Sequence, residues 1–375
     1  MKHKLVNWSN MMMVDPMHFK QTEDFFIELV SDSVATGLDR HGYGLLPPDN
    51  SEKNAAKIDI LEKVTGNVEI RLHRCNAITA GGYLIRFEQD GENSITNTHS
   101  FNNSEDSSAW DIILSVNPYK RVLSGIPDER EDPPRHPDVE PTIELYIMSS
   151  GTMNVDKLNK QQLIIGKICK QGERYKIDTD YIPPCTCMMS HPALVQYFNK
   201  FSSLMDNLET ASKEIIAKVR NKDTPSPLAL NIEMICRNLM RYISTVYFAF
   251  RNNGIYWKPI DITECFSSLA HIFYVSFSFI SVTEKEELLN YFYEWNEISP
   301  GTLDTVLSEM LEMQYDHNNI NESMKLIDDT FNLIAELWIK LSLLEYIGQH
   351  KDNIIVSDKK LITQPVKKSK WDIFG

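Results

Sequence analysis

The sequence predicts an α+β fold: an N-terminal antiparallel β-sandwich, then a helical-bundle neck and a small helical C-terminal head. Three observations predict it. Between residues 57 and 181, apolar and polar side chains alternate at period two in short segments. The texture then changes abruptly at Tyr181-Ile182-Pro183-Pro184-Cys185. Beyond that point apolar residues recur at spacings of three and four, the period of packed helices. A chain of 375 residues has room for two or three domains of about 150 residues each.

In the β half, Val68, Ile70 and Leu72 alternate with Glu69 and Arg71, and Tyr83, Ile85 and Phe87 alternate after a Gly81-Gly82 turn. That pattern predicts a hairpin. Further strands are expected at 111–116, 142–148, 162–170 and 175–177. Residues 89–108 and 127–141 are too polar or too rich in proline for a core and read as surface loops. The second of these carries Pro133, Pro134, Pro137 and Pro141, whose fixed φ angles make a stiff segment. It reads equally as a spacer or as an arm that docks on a partner.

In the helical half, His191-Pro192 opens a helix with proline in the first turn, where a missing donor costs nothing. Leu194, Phe198, Phe201, Met205, Leu208, Ser212, Ile215 and Val219 alternate by four and three along it. A second helix after Pro225-Ser226-Pro227 repeats the spacing with Leu228, Ile232, Ile235, Leu239, Tyr242 and Val246. Such regularity favours a coiled-coil-like bundle, either between copies or within one chain. A third helix is expected over 262–281, a fourth over 284–298 and a fifth over 302–314. A sixth carries Ile320, Met324, Ile327, Phe331, Ile334, Trp338 and Leu341. The tail 351–375 mixes Lys359, Lys360, Lys367, Lys368 and Lys370 with Trp371, Ile373 and Phe374, has no sustained period, and reads as a flexible arm with a short aromatic anchor.

Composition narrows the function classes. Thirty-eight Lys and Arg against fifty-two Asp and Glu leave a net charge of −14, which repels a phosphate backbone and argues against nucleic acid. Residues 265–282 lack a formal charge, but five serines and His271 make insertion into lipid costly, so a buried protein helix is expected. The opening MKHKLVNWSNMMMVDP lacks the apolar run of a secretory signal, and six scattered cysteines fit a reducing compartment. The expectation is a cytoplasmic protein with free thiols. No phosphate-binding loop, HExxH, G-x-S-x-G or dinucleotide turn is present. Cys185, Cys187 and His191 form the best metal-like group, but their C-x-C spacing and missing fourth ligand weaken it. No catalytic residue and no cofactor are expected.

Three places carry a resemblance. Trp8 is followed by Pro16-Met17-His18-Phe19-Lys20-Gln21; the arm reads Pro133-Pro134-Arg135-His136-Pro137; and DTDYIPP at 178–184 precedes Cys185 and His191-Pro192. Together they resemble the TssK family of type VI secretion baseplate components. Family members commonly end in a longer β-containing head, whereas 284–347 here reads as helices, so the sequence looks like the divergent branch of Bacteroidetes-type systems.

The resemblance implies a homotrimeric, non-enzymatic structural protein of a contractile injection system, associated with the inner-membrane-docked baseplate. Its shoulder (1–188) would bind the TssF and TssG wedge, its neck (189–282) would trimerise, its head (283–350) would face the inner-membrane complex, and 351–375 would form a tail. Trp8, Pro16, His18, Phe19, Pro133, Pro134, Arg135 and Pro137 become wedge-interface candidates. Trp8 and Phe19 fit equally a packing role that anchors the N-terminus. Leu194, Phe198, Phe201, Met205, Leu208, Ile215, Leu228, Ile232, Ile235 and Leu239 become trimer-neck candidates. A phage-like receptor-binding or tail-tip trimer and a metal-dependent enzyme at Cys185, Cys187 and His191 are the alternatives.

Overall fold

The structure, a computed structural model, describes residues 2–48, 54–63, 67–89, 94–101, 108–151, 158–172, 174–296 and 299–351. The tail expected at 351–375 lies outside the described residues from 352 onward.

The chain begins with a helix that sequence reading did not anticipate, α1 (Pro16–Gly37). Asp15 starts it: its carboxylate accepts from Met17 N at 2.7 Å, and His18 Nδ1 accepts from Asp15 N at 3.0 Å. Two otherwise orphaned amides are thereby satisfied. Two antiparallel sheets follow. In the first, β3 (Asn67–Ile78) is central, with β1 (Gly44–Leu45) and β2 (Ala56–Glu62) along one side and β4 (Leu84–Glu88) and β5 (Ile95–Ser100) along the other. The second has the order β7-β6-β8-β9, from β6 (Ala109–Ser124), β7 (Asp138–Ser149), β8 (Gln162–Gln171) and β9 (Arg174–Ile177). Ile70 and Leu72 of one sheet share a core with Ile112, Leu114, Leu145 and Ile165 of the other. The period-two segments therefore do build two packed sheets.

Two loop expectations need correction. β5 lies inside 89–108, because Ile95, Thr96 and Thr98 are good strand formers once β3 supplies a ladder, and Asn97 Nδ2 donates to Leu145 O of the second sheet at 2.5 Å. The proline segment ends earlier than expected: β7 begins at Asp138 and accommodates Pro141 because β7 is an edge strand.

The Tyr181–Cys185 stretch joins the sheets to the helices. Leu45 N donates to Pro184 O at 2.7 Å and Thr186 N to Leu45 O at 2.9 Å. Gly44 is required there: its φ is +116°, and a Cβ would lie 2.1 Å from Pro184 O. The bundle comprises α2 (Pro192–Arg220), α3 (Pro227–Asn253), α4 (Pro259–Phe277), α5 (Val282–Asn296), α6 (Pro300–Glu312) and α7 (Ile320–Leu343). His191 and Ser226 cap α2 and α3 from the side chain. The helix expected over 262–281 is shorter at its end, since α4 stops at Phe277 before Ser278. Among the described residues no helix is long and apolar enough to cross a membrane.

The helices of the expected neck and head share one core. Phe201 of α2 meets Phe266 of α4 at 4.9 Å, Phe266 meets Phe331 of α7 at 5.0 Å, and Phe273 meets Trp338 at 5.0 Å. Lys218 of α2 donates to Leu344 O at 2.8 Å and to Ser342 O, binding carbonyls at the end of α7. Glu233 of α3, almost wholly buried, accepts from Arg220 at 2.5 Å and Arg237 at 2.7 Å and closes the α2–α3 turn. Burial alone would raise its carboxyl, but these two guanidiniums hold it below the usual carboxylate range.

Candidate docking surfaces

The N-terminal segment lies back along α1. Lys2 N and His3 N donate to the Glu28 carboxylate at 2.6 and 2.7 Å, and these backbone hydrogen bonds hold its pKa down. Gln21 Nε2 donates to Lys4 O at 2.9 Å, and the His3 ring stacks on Tyr119 of β6 at 4.4 Å. Arg121 of β6 clamps the helix, with Nη2 2.6 Å from buried Asp24 Oδ1 and Nη1 on Glu23. Gly82, in the β3–β4 turn, lets the helix approach: its φ is +76°, and a Cβ would fall 2.2 Å from Ser31 O.

This arrangement leaves an apolar surface in solvent. Trp8 is half exposed and touches His18 and Phe19 at ring distances of 6.0 and 6.2 Å. Phe19 and Pro16 are exposed, as are Leu5, Met11, Met13, Val14, Met17, Phe26 and Val30; Met11 is 94% exposed. Asp24 is the one residue of α1 that is fully buried, so the helix contributes mainly surface. So many large apolar side chains in solvent along one segment are uncommon on a chain that works alone. His18 is spent on the α1 cap, which gives it a structural role.

The proline arm caps the β6–β7 hairpin. Asp128 N donates to Arg135 O at 2.9 Å, Arg135 forms a two-pronged ion pair with Glu131 at 2.7 and 3.0 Å, and His136 Nδ1 lies 2.9 Å from Gly125 O. Pro133, Pro134, Arg135 and Pro137 are all exposed, beside exposed Leu123, Ile126 and Val139. The strand that carries this tip also carries Tyr119 and Arg121, so β6 ties the arm to the N-terminal surface. Sequence reading missed Arg121, Phe26, Val30 and Ile126. Asp15-Pro16 ahead of twenty residues without glycine was the available signal for α1.

The neck-seam residues pack largely within the chain. Leu194, Phe201, Leu208, Ile215, Ile232, Ile235 and Leu239 are fully buried within the single chain, Met205 and Leu228 nearly so, and Phe198 packs against the same core. Most of these side chains are consumed by α3, α4 and α7, while Phe198 and Met205 also line an open groove between α2 and α3. The intramolecular bundle and the coiled coil share one sequence period, which is why spacing did not separate them. Phe248, Tyr274 and Phe279 are among the exposed aromatics on this half, with Tyr247, Tyr256, Tyr293 and Tyr346.

Cys185, Cys187 and His191 do not converge. Cys185 is buried, its thiol pushed up by burial and 3.2 Å from Pro183 O. Cys187 lies against Ser190, and His191 Nδ1 accepts from Ala193 N at 3.3 Å, its pKa lowered to about 4 by burial. Among the described residues no group of three His, Cys, Asp or Glu is placed to hold a metal ion.

No protein-family model matches the sequence, and no curated protein matches it. Solved structures do. A crystal structure of TssK superposes at a TM-score of 0.52 and 15% identity, over 90% of this chain and 69% of that one. A chain of the TssK-TssF-TssG baseplate subcomplex of the type VI secretion system gives 0.51 at 13% identity, over 89% of this chain and all of that one. A chain of the baseplate complex from the type VI secretion system gives 0.50 at 16%, over 90% and 100%. The chain therefore has a TssK-like fold.

Proposed function

We propose that the chain is a structural, non-enzymatic component of a type VI secretion baseplate. The TssK-like fold, which runs through both sheets and the bundle, carries this reading. The motifs support it, because they fall on the joints of the fold. Asp15-Pro16 with His18 caps α1, Pro184 and Cys185 bridge to the first sheet through Leu45, and His191-Pro192 starts α2.

In this reading the chain works as a homotrimer near the inner membrane, linking TssF and TssG to an inner-membrane component through 283–350. The wedge contact uses Trp8, Pro16 and Phe19 with the Pro133, Pro134, Arg135 and Pro137 arm. Since the neck seam is internal, the exposed face of α3 and α4 around Phe248 and Tyr274 is the surface left for self-association.

Co-expression with the TssF and TssG proteins encoded in the same genome tests the wedge role. Co-purification is expected, and Trp8→Ala with Phe19→Asp should reduce it at least tenfold, about the cost of losing an apolar anchor, while leaving the melting temperature unchanged. Absence of co-purification removes the baseplate role. Light scattering tests the trimer separately; a monomer at all concentrations removes it.

A further inference from the structure

The α2–α3 hairpin carries an apolar groove that the proposed baseplate contacts do not use. It encloses about 390 Å³ between the first half of α2 and the last half of α3. Phe198, Met205, Val246 and Phe250 form its floor, and Asp206 and Glu209 stand on the α2 rim. Glu209 pairs with Lys213, whereas Asp206 has no ion-pair partner among the described residues. The groove is thus apolar below and acidic along its α2 edge, with Arg251 on the α3 edge, where its guanidinium donates to Tyr247 OH at 2.8 Å.

The last described residue indicates what can reach it. Lys351 is held where its amine lies 5.1 Å over Trp295 and its N donates to Glu294 at 3.3 Å. Just before it, Gly348 sits against Ser226 and Ala229 at the start of α3, where Ser226 Oγ donates to Gly348 O at 3.3 Å. From Ala229 to Val246 along α3 is about 26 Å at 1.5 Å per residue. Twenty residues separate Lys351 from Trp371, and extended they span up to about 66 Å, so the far end of the chain reaches the groove easily.

The chemistry of that end is complementary. Residues 352–375 hold five lysines against three aspartates, an excess of positive charge in a chain of net −14. Lys367, Lys368 and Lys370 lead directly into Trp371-Asp372-Ile373-Phe374. Two aromatic rings three residues apart, behind three cations, match an apolar trough with an acidic rim.

We propose that the groove between α2 and α3 seats the chain's own C-terminal segment, with Trp371 and Phe374 as anchors and the preceding lysines facing Asp206 and Glu209. Tethering makes the binding intramolecular, so a modest contact suffices to keep the site occupied. The proposal is independent of the baseplate reading, since it needs no partner protein.

The test uses the full chain with a photo-crosslinking benzophenone residue in place of Trp371, prepared as an equal mixture of light and heavy isotopes. The expected result is a crosslink to the α2 peptide containing Phe198 and Met205, formed within one isotopic form. A crosslink between light and heavy chains overturns the proposal in favour of a second copy as occupant, and crosslinks elsewhere or none overturn it outright. A second measurement uses native side chains. In Trp371→Ala/Phe374→Ala, amides 202–209 should exchange about tenfold faster than in the unaltered chain, as expected when a docked state populated ten to one is lost. Equal exchange overturns the proposal.

Discussion

His317 shows how a single side chain can fix the relation between sheets and bundle. It is 4% exposed, with Nε2 2.9 Å from Tyr43 O and Nδ1 2.8 Å from Tyr315 OH. A carbonyl only accepts, so Nε2 carries the hydrogen, and in the neutral ring that burial favours Nδ1 accepts from the tyrosine. Burial lowers its pKa to about 4; the neighbouring His41 is lowered likewise by burial, and nearby Asp316 and Asp39 oppose the shift without reversing it. The unfolded chain takes up this proton near 6.5 and the folded chain only near 4, so between these values the unfolded state binds more protons. Stability from this group is complete above about 6.5, is lost as pH falls through the window, and amounts to roughly 3 kcal/mol. Urea unfolding at about pH 7 and about pH 4.5 should show at least that loss in the unaltered chain, where buried His191 titrates in the same direction, and a flatter profile in His317→Gln, whose amide can donate and accept in the same places. An unchanged profile in the variant assigns the pH dependence elsewhere. The sequence shows this histidine beside Asp316 and Tyr315 but not its bond to Tyr43, which lies 274 residues away.

At the scale of elements, α1 and α2 were legible to different degrees. α2 announced itself through His191-Pro192 and an apolar stripe, and its bounds are close to those read from the sequence. α1 has almost no buried stripe, because tertiary ion pairs and a glycine contact hold it to the sheets, and period-based reading therefore passed over it. Arg121 is the critical clamp. Replacing it with Ala leaves Asp24 buried without its cation, which costs about 3–5 kcal/mol when a fully buried pair is broken and somewhat less here, where the site retains some exposure. Hydrogen exchange is the direct readout: amides 16–37 should lose protection in Arg121→Ala while β3 and α7 keep theirs. Equal protection in both proteins would show that the N-terminal segment alone suffices to dock the helix. β5 was missed for the converse reason, since six polar or mixed residues make a strand only when β3 offers a free edge.

The whole molecule is joined more tightly than its sequence textures suggest. Ile70 and Ile112 in the sheets belong to the same core cluster as Leu208, Phe266 and Trp338 in the bundle. The Leu45–Pro184 and His317–Tyr43 hydrogen bonds cross the same boundary. Shoulder and bundle should accordingly unfold as one unit: under increasing urea, pulse-labelled amides of β3 and α7 should become exposed at the same midpoint. Two separated midpoints would show independent domains. The amino-acid sequence by itself determined the α+β class, most strands, the six bundle helices and the position of the join, because period and punctuation are local properties of the chain. It also located Trp8, Phe19 and the Pro133–Pro137 arm, which the structure leaves in solvent. Tertiary structure alone decided that α1 exists as a docked helix, that the Leu194-to-Leu239 seam is closed within one chain, and that an apolar groove remains open beside it. The reason is physical: an apolar stripe specifies that it will be buried, and only the packing of the other elements determines against what.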